Sequence, residues 1–172
     1  HEELLVSLPA SHPLAKQETI HLADLRDTPF VLQGSRHSIR LIAEQLFQQA
    51  GFQPVVAFES NDVILLDSMM HQAVGVGLVS NAHVFPCSEL AYRPLNPPVH
   101  QTLHLRFPLG HTLTEPERYL AGLLITERLR DPRYKPTDDP LVDQLLQEVL
   151  SPSQLADTGS LPREAVGTAL QT

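Results

Sequence analysis

Two short polar stretches carry most of the chemistry this sequence offers: Gln33-Gly34-Ser35-Arg36-His37-Ser38 and Glu59-Ser60-Asn61-Asp62. Each follows an apolar run and precedes an amphipathic one, so each marks a point where a strand ends and a helix begins. A helix start offers unsatisfied N–H groups and partial positive charge, which suit a small anion. Hydroxyl and amide side chains there have a plainer duty as well, because every helix start needs a cap. Capping is the simpler reading for any single one of Ser35, Ser38, Ser60 and Asn61. Taken together, Gly34, several small hydroxyls and Arg36 look like a lip for a carboxylate.

Other candidates lead away from catalysis. Among nine histidines, His100, His104 and His111 are the densest group, with His100 and His104 expected on one strand face. No cysteine or acidic set completes them at tetrahedral spacing, so they read as surface or hydrogen-bonded histidines. Cys87, the single cysteine, reads as a small core residue and cannot close an internal disulfide, which points to a reducing cytoplasm. The pair Gly75-x-Gly77 sits between a helix and the following strand, whereas a phosphate loop runs from strand to helix. Its expected work is to close the helix and permit close packing. There is no Gly-x-Ser-x-Gly elbow, and Ser35, His37 and Ser38 are too close in sequence for a triad. A non-catalytic role without metal or cofactor is the expectation.

The elements that would position the two stretches follow from periodicity. Leu4–Leu8, Phe30–Leu32, Pro54–Phe58 and Val76–Val79 read as strands, and Leu90–Leu95 as an edge strand near Pro94. Ile39, Ile42, Ala43, Leu46, Phe47 and Ala50 form one helical face, with Ser35 or Ser38 as cap. Gly51 takes its left-handed close, and Phe52 folds back on Phe47. Val63, Leu66, Met70 and Ala73 form a second face. "ASHPLAKQE" reads as a connection, and "IHLADL" as a short helical turn. Strands alternating with helices imply parallel βαβ units with strand carboxyl ends along one edge, where ligands bind. The two polar stretches then form the ligand-facing rim.

After Pro97 the character changes. "NPPVHQ" reads as a linker and "TLHLRF" as an alternating strand. Thr114-Glu115-Pro116-Glu117 is a capping box opening a helix with Leu120, Leu123 and Leu124 inward. A helix over Leu141–Leu150 starts at Asp138 or Asp139 with Pro140 in its first turn. The tail from Ser151 is expected to be mobile.

The chain has 172 residues, 42% hydrophobic and 19% charged, with a net charge of −8. That composition is ordinary for a globular protein, and the charge argues against broad nucleic-acid binding by this chain. No apolar run is long enough to span a membrane. The chain opens His1-Glu2-Glu3-Leu4 without methionine and is expected to be a piece of something longer.

The ordered series of these motifs resembles a known family. The Leu-Pro-x-x-His-Pro-Leu-Ala run (Leu8 to Ala15), the Leu-x-Asp-Leu step (Leu22 to Leu25), the Ala-Gly-Phe-x-Pro turn (Ala50 to Pro54), the Phe-Glu-Ser run and the Gly-x-Gly-Leu strand are similar, in order and spacing, to the effector-binding domain of LysR-type transcriptional regulators. The resemblance covers approximately Glu3 to Leu129. It implies an α/β, periplasmic-binding-protein type II-like fold: two lobes, joined by two crossing strands, with a small effector between them. Residues 1–18 would be a partial first lobe and crossing strand. Residues 19–95 would be a complete second lobe of mostly parallel sheet with helices on both faces. Residues 96–130 would return to the first lobe, and 131–172 would form a C-terminal extension. The winged helix-turn-helix and most of the first lobe are absent, so DNA contact would come only through a domain missing from this chain. The apolar faces left over would need a partner copy, an unseen segment or a changed packing.

By the same resemblance, effector contacts fall on Ser11, Gln33, Gly34, Ser35, Arg36, Ser38, Asn61 and Asp62. Arg36 and Arg40 favour an anionic effector. The implied function is ligand sensing in a cytoplasmic, bacterial, homo-oligomeric regulator, with no membrane partner. The rivals are a solute-binding protein or enzyme of the same fold, and a fragment serving only oligomerisation.

Overall fold

The computed structural model describes residues 1–84, 87–108, 110–131, 133 and 140–149. They divide into two compact units: Glu2–Gln101, and His1 with Thr102 onward. The expected second lobe falls inside the first of these, together with the strand before it and a longer strand after it.

In the Glu2–Gln101 unit, β1 (Glu2–Pro9) lies between β4 (Gly77–Ser80) and β5 (Leu90–Gln101), antiparallel to both. β2 (Pro29–Gln33) and β3 (Val55–Ser60) pair in parallel. A parallel bridge at Phe30 and Val76, with Val31 N–H donating to Val76 O at 2.8 Å, links β2 to the approach of β4. The βαβ part is therefore parallel, as expected, and β1 and β5 add the antiparallel pairs.

Side-chain alternation buries β2 on both faces, whereas β3 is largely exposed, Val55 and Val56 included. Phe30 and Leu32 point into the larger core with Leu4, Val6, Leu8, Ile20, Leu25 and Leu78, beneath Ile39, Ala43 and Phe47 of α1 (Ser38–Gln49). Val31 points the other way, against Leu66 and Met70 of α2 (Val63–His71) and Leu90. Each such fully buried side chain contributes about 1.5–3 kcal/mol. Phe30, Phe47 and Phe52 also meet as a ring cluster, with centroids 4.8 Å apart for Phe30–Phe47 and 5.3 Å for Phe47–Phe52.

Helix α1 closes as its sequence suggests: Gly51 has φ +72° and Phe52 N–H donates to Phe47 O at 3.2 Å. Its start is different. The cap is His37, whose Nδ1 accepts from Ile39 N–H at 3.3 Å, and Ser38 is already helical. At the end of α2 the left-handed residue is Ala73 (φ 57°), two residues before the expected Gly75. Gly75 and Gly77 serve close packing: an added Cβ would lie 2.6 Å from Pro29 O at Gly75 and 2.5 Å from Met70 Sδ at Gly77.

Three other readings change. "NPPVHQ" is not a linker, because β5 runs through it to Gln101. The register against β1 jumps from Val99 to Pro94 between Leu4 and Leu5, a bulge that accommodates the prolines on an edge strand. The expected strand at "TLHLRF" is irregular instead. "ASHPLAKQE" is more ordered than a plain connection, with a 3-10 turn at Pro13–Lys16, and "IHLADL" holds the expected turn at Leu22–Leu25.

In the other unit, α3 (Glu115–Leu129) begins with the expected capping box. Its inward stripe is Ala121, Gly122 and Thr126, facing α4 (Pro140–Val149), where Leu145 is buried. Leu120, Leu123 and Leu124, expected inward, are exposed. Pro140 does open α4, while Asp138, Asp139 and the tail from Ser151 lie outside the described residues. No described helix is long and apolar enough to cross a membrane.

Candidate functional site

The carboxyl ends of β2, β3 and β4 place Gln33, Ser60 and Ser80 along one edge. The loops after β2 and β3 touch there. Gly34 N–H donates to Ser60 O at 3.1 Å, and a Cβ at Gly34 would lie 2.3 Å from Asn61 Oδ1. Glycine is what allows the two loops to meet.

Gln33 is buried, and its Nε2 donates to Leu78 O at 3.2 Å. Its Oε1 is buried without a hydrogen-bond partner. Leaving such an acceptor unsatisfied costs about 1–3 kcal/mol. Next to it, Ser35, Arg36 and Ser38 are exposed around the start of α1, and Asn61 and Asp62 around the start of α2.

The charges on this edge are partly spoken for. Asp62 caps α2, its Oδ1 accepting from Ile64 N–H at 2.9 Å and Leu65 N–H at 3.2 Å, while Ser60 Oγ accepts from Asp62 N–H at 3.0 Å. The N-terminus of α2 thus already has its anion. Arg40 is committed too: it donates to Gln33 O at 2.9 Å, Glu59 at 2.6 Å and Glu44 at 2.9 Å, tying the ends of β2 and β3 together. Among the described residues of this edge, Arg36 is the cation left facing solvent, beside Gln33 and Gly34.

Ser11 does not join this group. Ser7 pairs with Gly77, the first residue of β4, so the chain beyond Pro9 lies at the amino end of β4, away from Ser80. Sequence reasoning instead missed a buried polar cluster on the correct edge. Ser80 Oγ and Gln101 Nε2 both donate to Glu2 Oε2 at 2.6 Å, all three residues being buried, and Glu3 N–H donates to Asn81 Oδ1 at 3.2 Å. These contacts fasten one end of the β1–β5 pair, where β1 starts and β5 finishes, to the end of β4. The available signal was Ser80 itself, a polar residue closing an apolar strand.

The three histidines are exposed or hydrogen-bonded, as expected, but His100 and His104 do not share a strand face. His100 lies on β5 opposite Glu3, the strand stops before His104, and His111 Nε2 sits 3.0 Å from Glu117 Oε2. Cys87 is exposed rather than in the core. A surface groove of about 790 Å³ between α1 and β3 is lined by Glu44, Phe47, Phe52 and Val56, with Arg40, already paired, as its cation. Gln48 and Gln53 also line it, but it holds no buried acceptor of the kind Gln33 brings to the strand edge.

A family model described as LysR substrate binding domain matches residues 1–127. The transcriptional dual regulator GltC of Bacillus subtilis is 38% identical over 78 residues, covering 45% of this chain and 26% of GltC. The chain spans about a quarter of the length of the first curated relatives it matches. Among solved structures, the CcmR regulatory domain of Synechocystis PCC6803 in complex with 2-PG superposes with a TM-score of 0.60 at 19% identity, covering 73% of this chain and 62% of that one. The effector-binding domain of QuiR in complex with shikimate gives 0.53 at 19% identity, covering 68% and 56%.

Proposed function

The chain belongs to the LysR substrate binding domain family and has its periplasmic-binding-protein type II-like fold, and from that premise we propose that the edge formed by Gln33–Ser38 and Asn61 binds a small anionic metabolite bearing a hydroxyl. The observation that carries this reading is the buried, partnerless Oε1 of Gln33 at the carboxyl edge. An acceptor held there asks for a ligand donor, and a hydroxyl supplies one. Arg36 and the N–H groups at the start of α1 suit the anionic end. The 2-PG of CcmR and the shikimate of QuiR, both small molecules, are in keeping with a ligand of this size.

Asn61 lies against Gly34 and is positioned to sense ligand through both loops at once. Asp62 holds the start of α2 and acts through that helix rather than on the anion. The buried Glu2–Ser80–Gln101 cluster joins the same edge to β1 and β5, so a ligand-driven shift in the loops reaches both strands. In a longer cytoplasmic regulator this shift would change how a homo-oligomer presents its DNA-binding domains, by favouring one of two existing arrangements. The role is binding rather than catalysis: His37, the imidazole nearest Ser35 and Ser38, already spends Nδ1 on the helix cap.

A thermal-shift screen of hydroxy acids against the same acids lacking the hydroxyl tests this. A ligand that binds the folded state alone raises the melting temperature with its concentration. The expected hit is a hydroxy acid, lost in Ser35→Ala and Asn61→Ala while light scattering shows an unchanged mass. If no acid shifts a well-folded chain, or the shift survives both substitutions, the edge is not the effector site.

A further inference from the structure

α2 begins at the effector edge with its Asp62 cap and ends at His71, roughly 13 Å away along nine residues. At this far end His71 meets two residues that sequence spacing does not connect to it, Cys87 and Glu89. One imidazole nitrogen, the thiol sulfur and a carboxylate oxygen all lie within 4.8 Å of one another. In a tetrahedral zinc site with bonds of about 2.0–2.3 Å, neighbouring ligand atoms are about 3.5 Å apart, so a closure of about 1 Å completes the set.

We propose that His71, Cys87 and Glu89 form a binding site for a divalent transition-metal ion of borderline softness, zinc being the reference case. The ligand set decides the class: a thiolate and an imidazole disfavour calcium and magnesium, which take oxygen ligands, and three protein ligands leave one position for water.

The surroundings are arranged for coordination. His71 Nδ1 is 2.9 Å from Asp67 O and 3.3 Å from Asp67 Oδ2. With Nδ1–H donated to Asp67, the lone pair resides on Nε2, and the ring is held by an outer partner as metal-bound histidines are. Ser88 Oγ donates to Glu89 Oε1 at 2.6 Å, which orients the Glu89 carboxylate. Glu89 O accepts from Ala10 N–H at 2.8 Å, which fixes the segment's backbone. The half-buried phenol of Tyr92 is pushed up to about 12, by burial first and then by Cys87 and Asp67. On coordination the Cys87 thiol gives its proton to solvent, and the ion ties the end of α2 to the segment entering β5.

Cobalt(II) titration of the metal-free chain tests the site. Cys87 is the single cysteine, so any thiolate-to-cobalt charge-transfer absorption must come from it. The expected result is that band at one equivalent, bleached by zinc and absent in Cys87→Ser. His71→Gln and Glu89→Gln should weaken cobalt by about tenfold or more, Asp67→Asn by about tenfold, and His100→Gln not at all. Cys87 and Glu89 are exposed, and unchanged melting of the metal-free variants confirms that they fold. Absence of the sulfur band, or an affinity unchanged in both His71→Gln and Glu89→Gln, overturns the proposal. Because no effector is used, the result is independent of the ligand-sensing reading.

Discussion

An added Cβ at Gly34 would lie 2.3 Å from Asn61 Oδ1, the end of a side chain on an exposed residue that can swing away. At Gly75 the obstacle is the carbonyl of Pro29 at 2.6 Å, a backbone group that also accepts from Val76 N–H at 2.9 Å where β2 meets the approach of β4. The two alanine substitutions should therefore have opposite effects. Gly34→Ala should cost at most about 0.5 kcal/mol of stability while weakening effector binding about tenfold, because it moves Asn61. Gly75→Ala should cost about 1–3 kcal/mol by forcing the strands apart, lowering the melting temperature by about 4–8 °C per kcal/mol, with affinity unchanged in the folded fraction. Chemical denaturation and calorimetric titration on both variants check this, and equal loss of affinity would remove Asn61 from the site. At this scale the sequence was only partly legible. It located both helix starts but not their caps, because the His37 imidazole and the Asp62 carboxylate do the work assigned to neighbouring serines and Asn61. An acceptor's reach depends on backbone angles that residue type alone does not specify.

α3 shows how an element's stability depends on one side chain. Glu117 Oε2 accepts from Thr114 N–H and from its hydroxyl, each at 2.8 Å. Those two bonds, then His111, hold its pKa at about 2 against the usual 4.5. The folded value is the lower one, so the stabilisation is present above the usual carboxylate range and is lost as pH falls from 4.5 toward about 2. The first turn of α3 should fray over that interval, seen as faster exchange of the amides near Thr114. In Glu117→Gln the fraying should already be present at neutral pH, with no further change across the same window; identical profiles would remove the capping role. Elements were more legible than caps. The α1 face, its Gly51 close, the returning Phe52 and the Thr114 box follow directly from spacing. The errors fell on strands, for a physical reason: alternation gives a strand a face but no neighbour. β1 is already flanked by β4 and β5, and the alternating residues after Gln101 have no described strand to pair with, whereas the prolines of β5 fit an edge beside a bulge.

The features furthest from sequence are those joining distant residues. Ser80 and Gln101 reach Glu2 across 78 and 99 positions, and nothing in their local spacing announces it. That cluster also marks where the Glu2–Gln101 unit is fastened shut. Its main core, from Leu4 to Leu95, lies wholly inside it, and a chain of that length can bury enough surface to fold alone. Between Gln101 and α3 the described residues have irregular backbone, with Leu103, Leu105 and Arg106 exposed. Within residues 1–107, brief trypsin treatment should therefore cut first after Arg106, ahead of Arg26, Arg36 or Arg93 inside the unit. The fragment ending there should melt in one cooperative transition and should keep both the hydroxy-acid shift and the cobalt band, because Gln33, Asn61, His71, Cys87 and Glu89 all lie within it. Mass spectrometry of the first product and a melt of the purified fragment decide the matter. A first cut inside Glu2–Gln101, or a fragment that melts without cooperativity, would mean that this unit depends on the chain after Thr102. Ligand sensing would then belong to the two units together rather than to the one that carries the edge.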